Sequence, residues 1–404
     1  MHASLPTVLV LGDYRQTLTV IRSLRRSGYP LVLGSGESRG PASLSRHAKD
    51  VWKHPPLDEA NRESFFSALK CLLDARPDIR CLFPVGEWQI TFFTLHRDAL
   101  PVSIKPVMPG SEVVKLCLNK VDMFTILEEC AVPFSDYRIV SGEDEWESAF
   151  EAVGFPCIIK AETEQFRIKG KKALIVNSPQ DANQIVCDPP NASTRWIIQR
   201  YFSGKRHNVY FFADRGALRA TVEVRIDRNT QIDDTGLATE GISVKPSPQL
   251  MRHTKQLVSR LNYCGAGCAQ YLVNQASNEI SFLEINSRLG ANYAIAHHCG
   301  LDLATWWVTY SLNSAPAIQS QYGVEGKRYY WLTGDIPAFK QAVFKKNIPI
   351  KRKLVWPLQM IVSLMRANVH IVWDWRDPYP GLHKLMETMH ISLKKRIKGL
   401  LSNH

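Results

Sequence analysis

The amino-acid sequence predicts an α/β protein, and two patterns indicate this class. Near the start, an apolar strand over 7–12 leads through an amphipathic helix over 17–27 to a second apolar strand over 29–33. A strand, a helix and a strand within about 30 residues form a βαβ unit of a parallel sheet. Far downstream, the apolar runs 269–273 and 280–285 flank a polar turn, which is typical of an antiparallel hairpin. The N-terminal part is therefore expected to be α/β, and the later part α+β.

Length and composition are those of an ordinary globular chain. The 404 residues are 45% hydrophobic and 22% charged, and no stretch approaches the roughly 18 apolar residues of a membrane-spanning helix. Two or three packed units fit this length. The N-terminus shows no secretory signal pattern, and the nine cysteines lack zinc spacing. We therefore expect free thiols in a reducing cytoplasm.

The net charge of +12 is concentrated at the C-terminus. Residues 340–404 hold thirteen Lys or Arg and three Asp or Glu, a net of +10, which leaves +2 for the preceding body. Nucleic-acid binding would need a basic stripe on the body itself. The charge distribution therefore argues against a nucleic-acid partner.

The N-terminal βαβ unit has no glycine-rich nucleotide fingerprint. Gly12 stands alone after the first strand, where a dinucleotide-binding loop would have three spaced glycines. A later apolar strand over 81–85 ends at Gly86 and Glu87. Ligands of open α/β sheets collect at the carboxyl ends of strands. Glu87 is thus a candidate for contacting a substrate, and a solvated loop acid is the alternative.

The hairpin places three oxygen-bearing side chains together. Alternation along a strand puts Glu284 and Asn286 on one face, and a turn centred near Ser277 puts Gln270 across from Glu284. Such a set suits Mg²⁺, which prefers oxygen ligands. Arg288, just beyond, has the planar fork that grips a phosphate or a carboxylate.

A Gln on one strand followed by Glu-x-Asn-x-Arg on the next resembles the metal-binding strand pair of ATP-grasp ligases, in particular the large subunit of carbamoyl-phosphate synthetase. The stretch 204–214 is similar to part of biotin carboxylase. A lysine-bearing helix over 118–129 and a strand over 154–160 that ends on a lysine stand in the family's order. The specific resemblance covers roughly 118–312.

This resemblance implies an ATP-grasp fold preceded by a Rossmann-like parallel-sheet domain and followed by a mainly helical, basic, aromatic-rich extension. We predict the boundaries 1–112, 113–318 and 319–404. The middle domain would divide into 113–195 and a second subdomain, 196–318, with the metal site.

The resemblance also implies roles for individual residues. Mg²⁺ or Mn²⁺ would be bound by Gln270, Glu284 and Asn286, and Arg288 would steady the reacting phosphate. For ATP, Lys120 and Lys160 would bind the phosphates, and Gln199 and Phe202 would lie along the adenine. His207 would contact the ribose, and Lys169 would act from a glycine-poor flap. Arg225 could face the substrate, and a salt bridge is its alternative.

The implied function is that of an ADP-forming carboxylate–amine ligase of the amino-acid or peptide type, which activates a small-molecule carboxylate as an acyl phosphate with Mg-ATP and transfers it to an amine. Two alternatives stay open: carboxylation or carbamoyl-phosphate chemistry on the same scaffold, and a non-catalytic ATP-binding, membrane-associated homologue.

The C-terminal region likewise has two interpretations. It either braces the ligase body, or its basic tail contacts an anionic membrane, which would place a cytoplasmic protein peripherally at the inner face of the membrane.

Overall fold

The computed structural model describes residues 5–36, 40–163, 166–190, 193–231, 236–312, 320–344 and 349–389. Its first part is a five-stranded parallel sheet in the order β3-β2-β1-β4-β5. The elements are β1 (Thr7–Leu11), α1 (Arg15–Arg26), β2 (Leu31–Ser35), β3 (Val51–Lys53), α2 (Arg62–Ala75), β4 (Ile79–Pro84), α3 (Glu87–Leu95) and β5 (Lys105–Pro106).

The predicted βαβ unit is confirmed, and its turn requires a glycine. Every residue of β1 is buried, as expected for the central strand of a covered parallel sheet. Gly12 follows it with φ of +107°, and a Cβ there would lie 2.8 Å from the Tyr14 ring. Only glycine adopts this backbone without strain, so β1 passes directly into α1.

The second part is an antiparallel four-stranded sheet in the order β6-β9-β7-β8, with helices beside it. The elements are α4 (Ser111–Leu118), α5 (Lys120–Glu129), β6 (Tyr137–Val140), α6 (Trp146–Val153), β7 (Cys157–Ala161), β8 (Ala173–Val176), α7 (Pro179–Val186) and β9 (Trp196–Arg200). The predicted second subdomain begins at residue 196, and β9 hydrogen-bonds to both β6 and β7 of this sheet.

The third part is a large, mostly antiparallel sheet in the order β14-β13-β10-β11-β12-β16-β17, with β15 beside β11. Its strands are β10 (Lys205–Asp214), β11 (Ala217–Asn229), β12 (Ala238–Val244), β13 (Gly265–Val273), β14 (Ile280–Asn286), β15 (Gln321–Tyr322), β16 (Arg328–Tyr330) and β17 (Val369–His370). Its helices are α8 (Pro248–Arg260), α9 (Ala294–His298) and α10 (Leu303–Ser311).

The two faces of the large sheet belong to different cores. Tyr210 and Phe212 of β10 pack in one core with the parallel sheet, α1 and α10. Val209 and Phe211 face the other way and pack with α5 and α8. Successive side chains of a strand point to opposite faces, so β10 joins the N-terminal domain to the four-stranded part.

The C-terminal region is mainly helical, as predicted, with α11 (Leu332–Phe344), α12 (Ile350–Arg366) and α13 (379–389). It also adds strands to the large sheet, because β15 pairs with β11, β16 with β12 and β17 with β16. The extension and the second subdomain thus share one sheet, and the domain boundaries stay predictions. Among the described residues, no helix has both the length and the apolar content needed to cross a bilayer.

Candidate functional site

The hairpin of β13 and β14 has the predicted register. Gln270 pairs with Glu284, and Cys268 pairs with Asn286. The side-chain amide of Asn286 donates a hydrogen bond of 2.7 Å from Nδ2 to Oε1 of Glu284. The three side chains expected to hold a metal therefore lie on one face of the sheet, at its β14 edge.

A fourth oxygen joins this set from β10. Asn208 pairs with Gln270 across the β10–β13 ladder. Asn208 Oδ1 and Gln270 Oε1 are both buried, and neither has a hydrogen-bond partner among the described residues. Buried side-chain oxygens are normally paired. Two open amide oxygens beside a carboxylate therefore fit a hard cation.

Asn208 was not among the residues predicted from the sequence. The register between β10 and β13 is the signal that identifies it. Local periodicity does not predict that these two strands pair. The described part of the chain contains no group of three or more His, Cys, Asp or Glu side chains that could hold a metal. The candidate metal site differs from such a group, because it combines the carboxylate of Glu284 with the amides of Gln270, Asn286 and Asn208.

Glu87 and Arg288 meet at the same place. Nη2 of Arg288 lies 2.9 Å from Oε2 of Glu87, and their side chains are 19% and 29% exposed. Glu87 is the first residue of α3, directly after β4. The ion pair therefore joins the carboxyl edge of the parallel sheet to the end of β14, so Glu87 is not a solvated loop acid.

A cavity of about 60 Å³ lies beside this ion pair. Its lining includes three cationic side chains, two carboxylates and one amide, namely Lys120, Lys172, Arg288, Glu87, Glu284 and Asn286. Clustered cations beside oxygen ligands are the arrangement that binds a polyphosphate with its metal ion.

A second cavity, of about 30 Å³, continues between the four-stranded sheet and β14. The two cavities share Cys117, Lys120, Glu284 and Ile285. The second is more apolar, and its lining includes Lys160, Gln199, Met123, Phe124, Leu127 and Phe282. A charged chamber next to an apolar slot matches the two ends of a nucleotide, its phosphates and its base.

The cap of α5 positions Lys120. Asn119 accepts hydrogen bonds at Oδ1 from the backbone of Val121 (2.9 Å) and Asp122 (3.1 Å), which caps the helix. Its Nδ2 donates to Glu162 Oε1 at 2.8 Å, and the Lys120 N–H donates to the Glu162 carbonyl at 3.1 Å. The loop after β7 and the start of α5 are therefore tied together.

Lys160 and Gln199 contact each other on neighbouring strands. Lys160 Nζ donates to Gln199 Oε1 at 3.1 Å, and Gln199 Nε2 donates to the Ser135 carbonyl at 3.2 Å. Gln199 is buried. Both ends of its amide are therefore engaged, and contact with an adenine requires one of these bonds to exchange.

Five predicted residues line neither cavity: Gln270, which pairs with Glu284 beside them, and Lys169, Phe202, His207 and Arg225. Nδ1 of His207 lies 2.6 Å from Oε1 of buried Glu223, on the face of β10 opposite Asn208. Arg225 forms an ion pair of 2.8 Å with Asp227, which is the alternative stated for it. Lys169 is exposed at a turn with positive φ. Their roles toward a ligand stay predictions. The flap around Lys169 includes residues 164 and 165, which lie outside the described residues.

A family model described as "Carbamoyl-phosphate synthase L chain, ATP binding domain" matches residues 119–314. The match contains the predicted phosphate lysines and the metal hairpin.

One curated relative, formate-dependent phosphoribosylglycinamide formyltransferase of Ignicoccus hospitalis, is 26% identical over 188 residues, 46% of this chain and 42% of the relative. Urea amidolyase of Saccharomyces cerevisiae is 20% identical over 78% of this chain and 18% of its own length. The chain thus spans well under half the length of either relative.

Two solved structures show a similar fold. An ADP complex of N5-carboxyaminoimidazole ribonucleotide synthetase superposes with a TM-score of 0.64 at 13% identity, covering 90% of this chain and 98% of that one. The biotin carboxylase domain of 2-oxoglutarate carboxylase from Hydrogenobacter thermophilus, solved with MgADP, gives a TM-score of 0.60 at 16% identity, covering 79% and 72%.

Proposed function

We propose that this chain, whose residues 119–314 match the carbamoyl-phosphate synthase ATP-binding domain model, is an ATP-grasp enzyme and an ADP-forming ligase that joins a carboxylate to an amine. One observation supports this most strongly. Glu284 and Asn286 line a chamber that Lys120 and Arg288 also line, and the open oxygen of Gln270 belongs to the residue paired with Glu284 on the neighbouring strand. Oxygen ligands and cations in one chamber are what phosphoryl transfer requires, because the protein contributes mainly alignment and charge neutralisation.

The oxygen set fits Mg²⁺, and Mn²⁺ would use the same ligands. Bound there, the ion would neutralise charge on the β- and γ-phosphates of ATP. Glu284, Asn286, Gln270 and Asn208 are the residues that would hold it. Lys120 and Lys160 would pair with the α- and β-phosphates, and Lys172 is the flap lysine placed to assist them, since it lines the charged cavity.

The reaction proceeds in two displacements. A substrate carboxylate oxygen attacks the γ-phosphorus, the bond from that phosphorus to the bridging oxygen breaks, and ADP leaves. The amine nitrogen then attacks the acyl carbon, the carbon–oxygen bond to phosphate breaks, and the nitrogen loses a proton. Arg288 is placed to hold the acyl phosphate, and Glu87 fixes its guanidinium.

The two cavities are much smaller than the several hundred Å³ of a typical ligand site. ATP entry therefore requires the four-stranded sheet to move away from β14. We expect this movement to exchange the hydrogen bond between Lys160 and Gln199 for contacts with the nucleotide.

ADP release is the direct test of the proposed function. The purified chain is supplied with Mg-ATP and pairs of small carboxylates and amines, with amino acids first. ADP formation that needs both substrates supports the ligase. ADP formation with bicarbonate as the required acid would instead favour carboxylation or carbamoyl-phosphate chemistry, and binding of ATP without turnover would favour a non-catalytic homologue.

Replacing Lys160 with Ala should weaken ATP binding more than it lowers stability. The side chain lies at a strand end and lines the apolar slot. Loss of one charge contact to phosphate should raise the Kd for Mg-ATP by about tenfold, equivalent to about 1.4 kcal/mol. Titration measures this. Lys255→Ala on the exposed face of α8 is the matched control, and equal affinities in both variants would exclude Lys160 from the nucleotide site.

We further propose that the C-terminal helices contact an anionic membrane surface. One side of α12 packs inward through Trp356 against Phe339 and α11. The other side exposes an apolar stripe with helical spacing, Ile350, Leu354, Leu358, Ile361 and Met365, which are 56–81% exposed. An exposed stripe in a region of net charge +10 suits a lipid surface better than water. The basic residues 394–398 lie outside the described residues.

Two substitutions in this stripe test the membrane contact. Leu354→Glu with Leu358→Glu should reduce sedimentation with phosphatidylserine vesicles more than about tenfold, because each leucine would bury roughly 1.5–3 kcal/mol of apolar surface. Val102→Glu is the matched control, since Val102 is 93% exposed in the N-terminal domain. Wild-type protein that stays in the supernatant at low salt would refute this proposal.

A further inference from the structure

Arg15 joins the N-terminal domain to the large sheet. It is the first residue of α1, just past the Gly12 turn. Its guanidinium carbon lies 3.5 Å from the ring centroid of Trp331, which follows β16. The hydroxyl groups of Tyr210 and Tyr329 are close enough to act on its charge. The side chain therefore lies against the same face of the sheet as Asn208 and Gln270.

The charge of Arg15 has no carboxylate partner in the described part of the chain. No hydrogen bond or ion pair joins its guanidinium to a described residue, whereas Arg22 pairs with Asp377 and Arg288 with Glu87. Burial lowers the pKa of Arg15 from its ordinary value to about 10. Arg15 is only partly exposed, and a partly buried cation without a counter-ion is destabilising, so an anionic ligand would stabilise it.

Open polar atoms lie on the same face of the sheet and beside Tyr329. Eight buried side-chain atoms of the described residues lack a hydrogen-bond partner, and four are on this face or beside Tyr329: Arg206 Nε, Asn208 Oδ1, Gln270 Oε1 and Asn292 Oδ1. Nδ2 of Asn292 donates a hydrogen bond of 3.0 Å to Tyr329 Oη, so Oδ1 of Asn292 points away from that hydroxyl. The unpaired atoms therefore include a hydrogen-bond donor, Arg206 Nε, and three acceptor oxygens.

The position adjoins the metal ligands. Tyr210 and Asn208 are alternate residues of β10, and Asn208 pairs with Gln270. Alternate residues on a strand lie about 7 Å apart. The acyl phosphate would lie beside the pair Gln270 and Glu284. A small molecule could therefore reach from Arg15 to it with only a few bonds between its two polar ends.

We propose that Arg15, stacked on Trp331, binds the α-carboxylate of an amino acid, and that this amino acid is the amine substrate of the ligase. The inference rests on the proposed function. A planar guanidinium binds a carboxylate through two parallel hydrogen bonds. The open amide oxygen of Asn292 is an acceptor suited to the ammonium group. Donors for an anion and an acceptor for a cation match a zwitterion, and a simple amine would leave Arg15 unpaired.

Ligand-induced thermal stabilisation of the full chain tests this inference. The standard L-amino acids are added one at a time at millimolar concentration, with Mg²⁺ and a non-hydrolysable ATP analogue present. At least one should raise the Tm, and its carboxamide, which lacks the anionic group, should not. Arg15→Met should abolish that shift, and Arg15→Lys should raise the Kd at least about tenfold by removing the planar fork.

Two comparisons keep the result interpretable. Arg26→Met removes a guanidinium from the exposed end of the same helix and should retain the amino-acid response. Binding of the ATP analogue should be unchanged in Arg15→Lys, which shows that the fold is intact. An equal amino-acid response in the wild type and both Arg15 variants would overturn the inference. So would a wild type that binds the analogue but responds to no amino acid. Failure to bind the analogue would instead refute the proposed function.

Discussion

Glu284→Gln is expected to lower ATP turnover roughly a thousandfold while the protein stays folded. Glu284 supplies the only carboxylate among the four candidate metal ligands, and its removal leaves amide oxygens alone to face the cation. Charge stabilisation by a bound metal ion contributes several kcal/mol to phosphoryl transfer, which corresponds to this factor. The substitution preserves side-chain volume, so the Tm should change little.

Steady-state ADP release over a range of Mg²⁺ concentrations measures the effect. A weakened metal site should raise the concentration of Mg²⁺ needed for half-maximal rate as well as lower the maximum. Glu279→Gln makes the same chemical change at the exposed turn end of the same hairpin and should leave both values unchanged. Wild-type turnover in Glu284→Gln would remove the hairpin from the active site.

Asp377→Ala is expected to destabilise the protein by about 3–5 kcal/mol, because it leaves the buried charge of Arg22 without its partner. Nε of Arg22 lies 2.9 Å from Asp377 Oδ2, and the two residues are separated by 355 positions. The carboxylate also accepts hydrogen bonds from Ser45 Oγ at 2.5 Å and from the Arg46 N–H at 3.0 Å. Both ionic side chains are less than 10% exposed.

The Asp377 carboxylate should also make the stability of the protein depend on pH. Burial alone would raise the pKa of Asp377, but the hydrogen bonds from Ser45 and Arg46 and the charge of Arg22 together lower it below its ordinary value of 3.8. A lowered pKa means that the folded state binds this proton less readily than the unfolded chain. The stabilisation is therefore fully present above pH 3.8 and is lost as the pH falls through the lower folded-state pKa.

Urea unfolding at neutral pH measures the loss. Asp374→Ala is the matched control, because Asp374 pairs with the more exposed Arg26 on the same helix as Arg22. Exposed pairs contribute about 0–1 kcal/mol, so the two variants should differ clearly. Equal stabilities would mean that the C-terminal segment does not brace the N-terminal domain through Arg22.

The sequence by itself determined the local parts of the site. Alternation along a strand placed Glu284 and Asn286 on one face, and the polar turn set the register with Gln270, because both depend on residues close together in the chain. The free state of all nine cysteines likewise followed from their spacing. The apolar runs located β1, α1 and β4 to within a few residues.

Tertiary structure alone decided which distant segments meet. Asn208 joins the metal ligands only because β13 pairs with β10, and Glu87 reaches Arg288 only because the parallel sheet packs against the end of β14. The fold likewise decided that β9 pairs with β6 and β7, since an apolar strand does not specify its partner. The contacts of Arg15 with Trp331 and of Arg22 with Asp377 span more than 300 residues. Periodicity records which face of an element is buried, whereas the fold decides what that face is buried against.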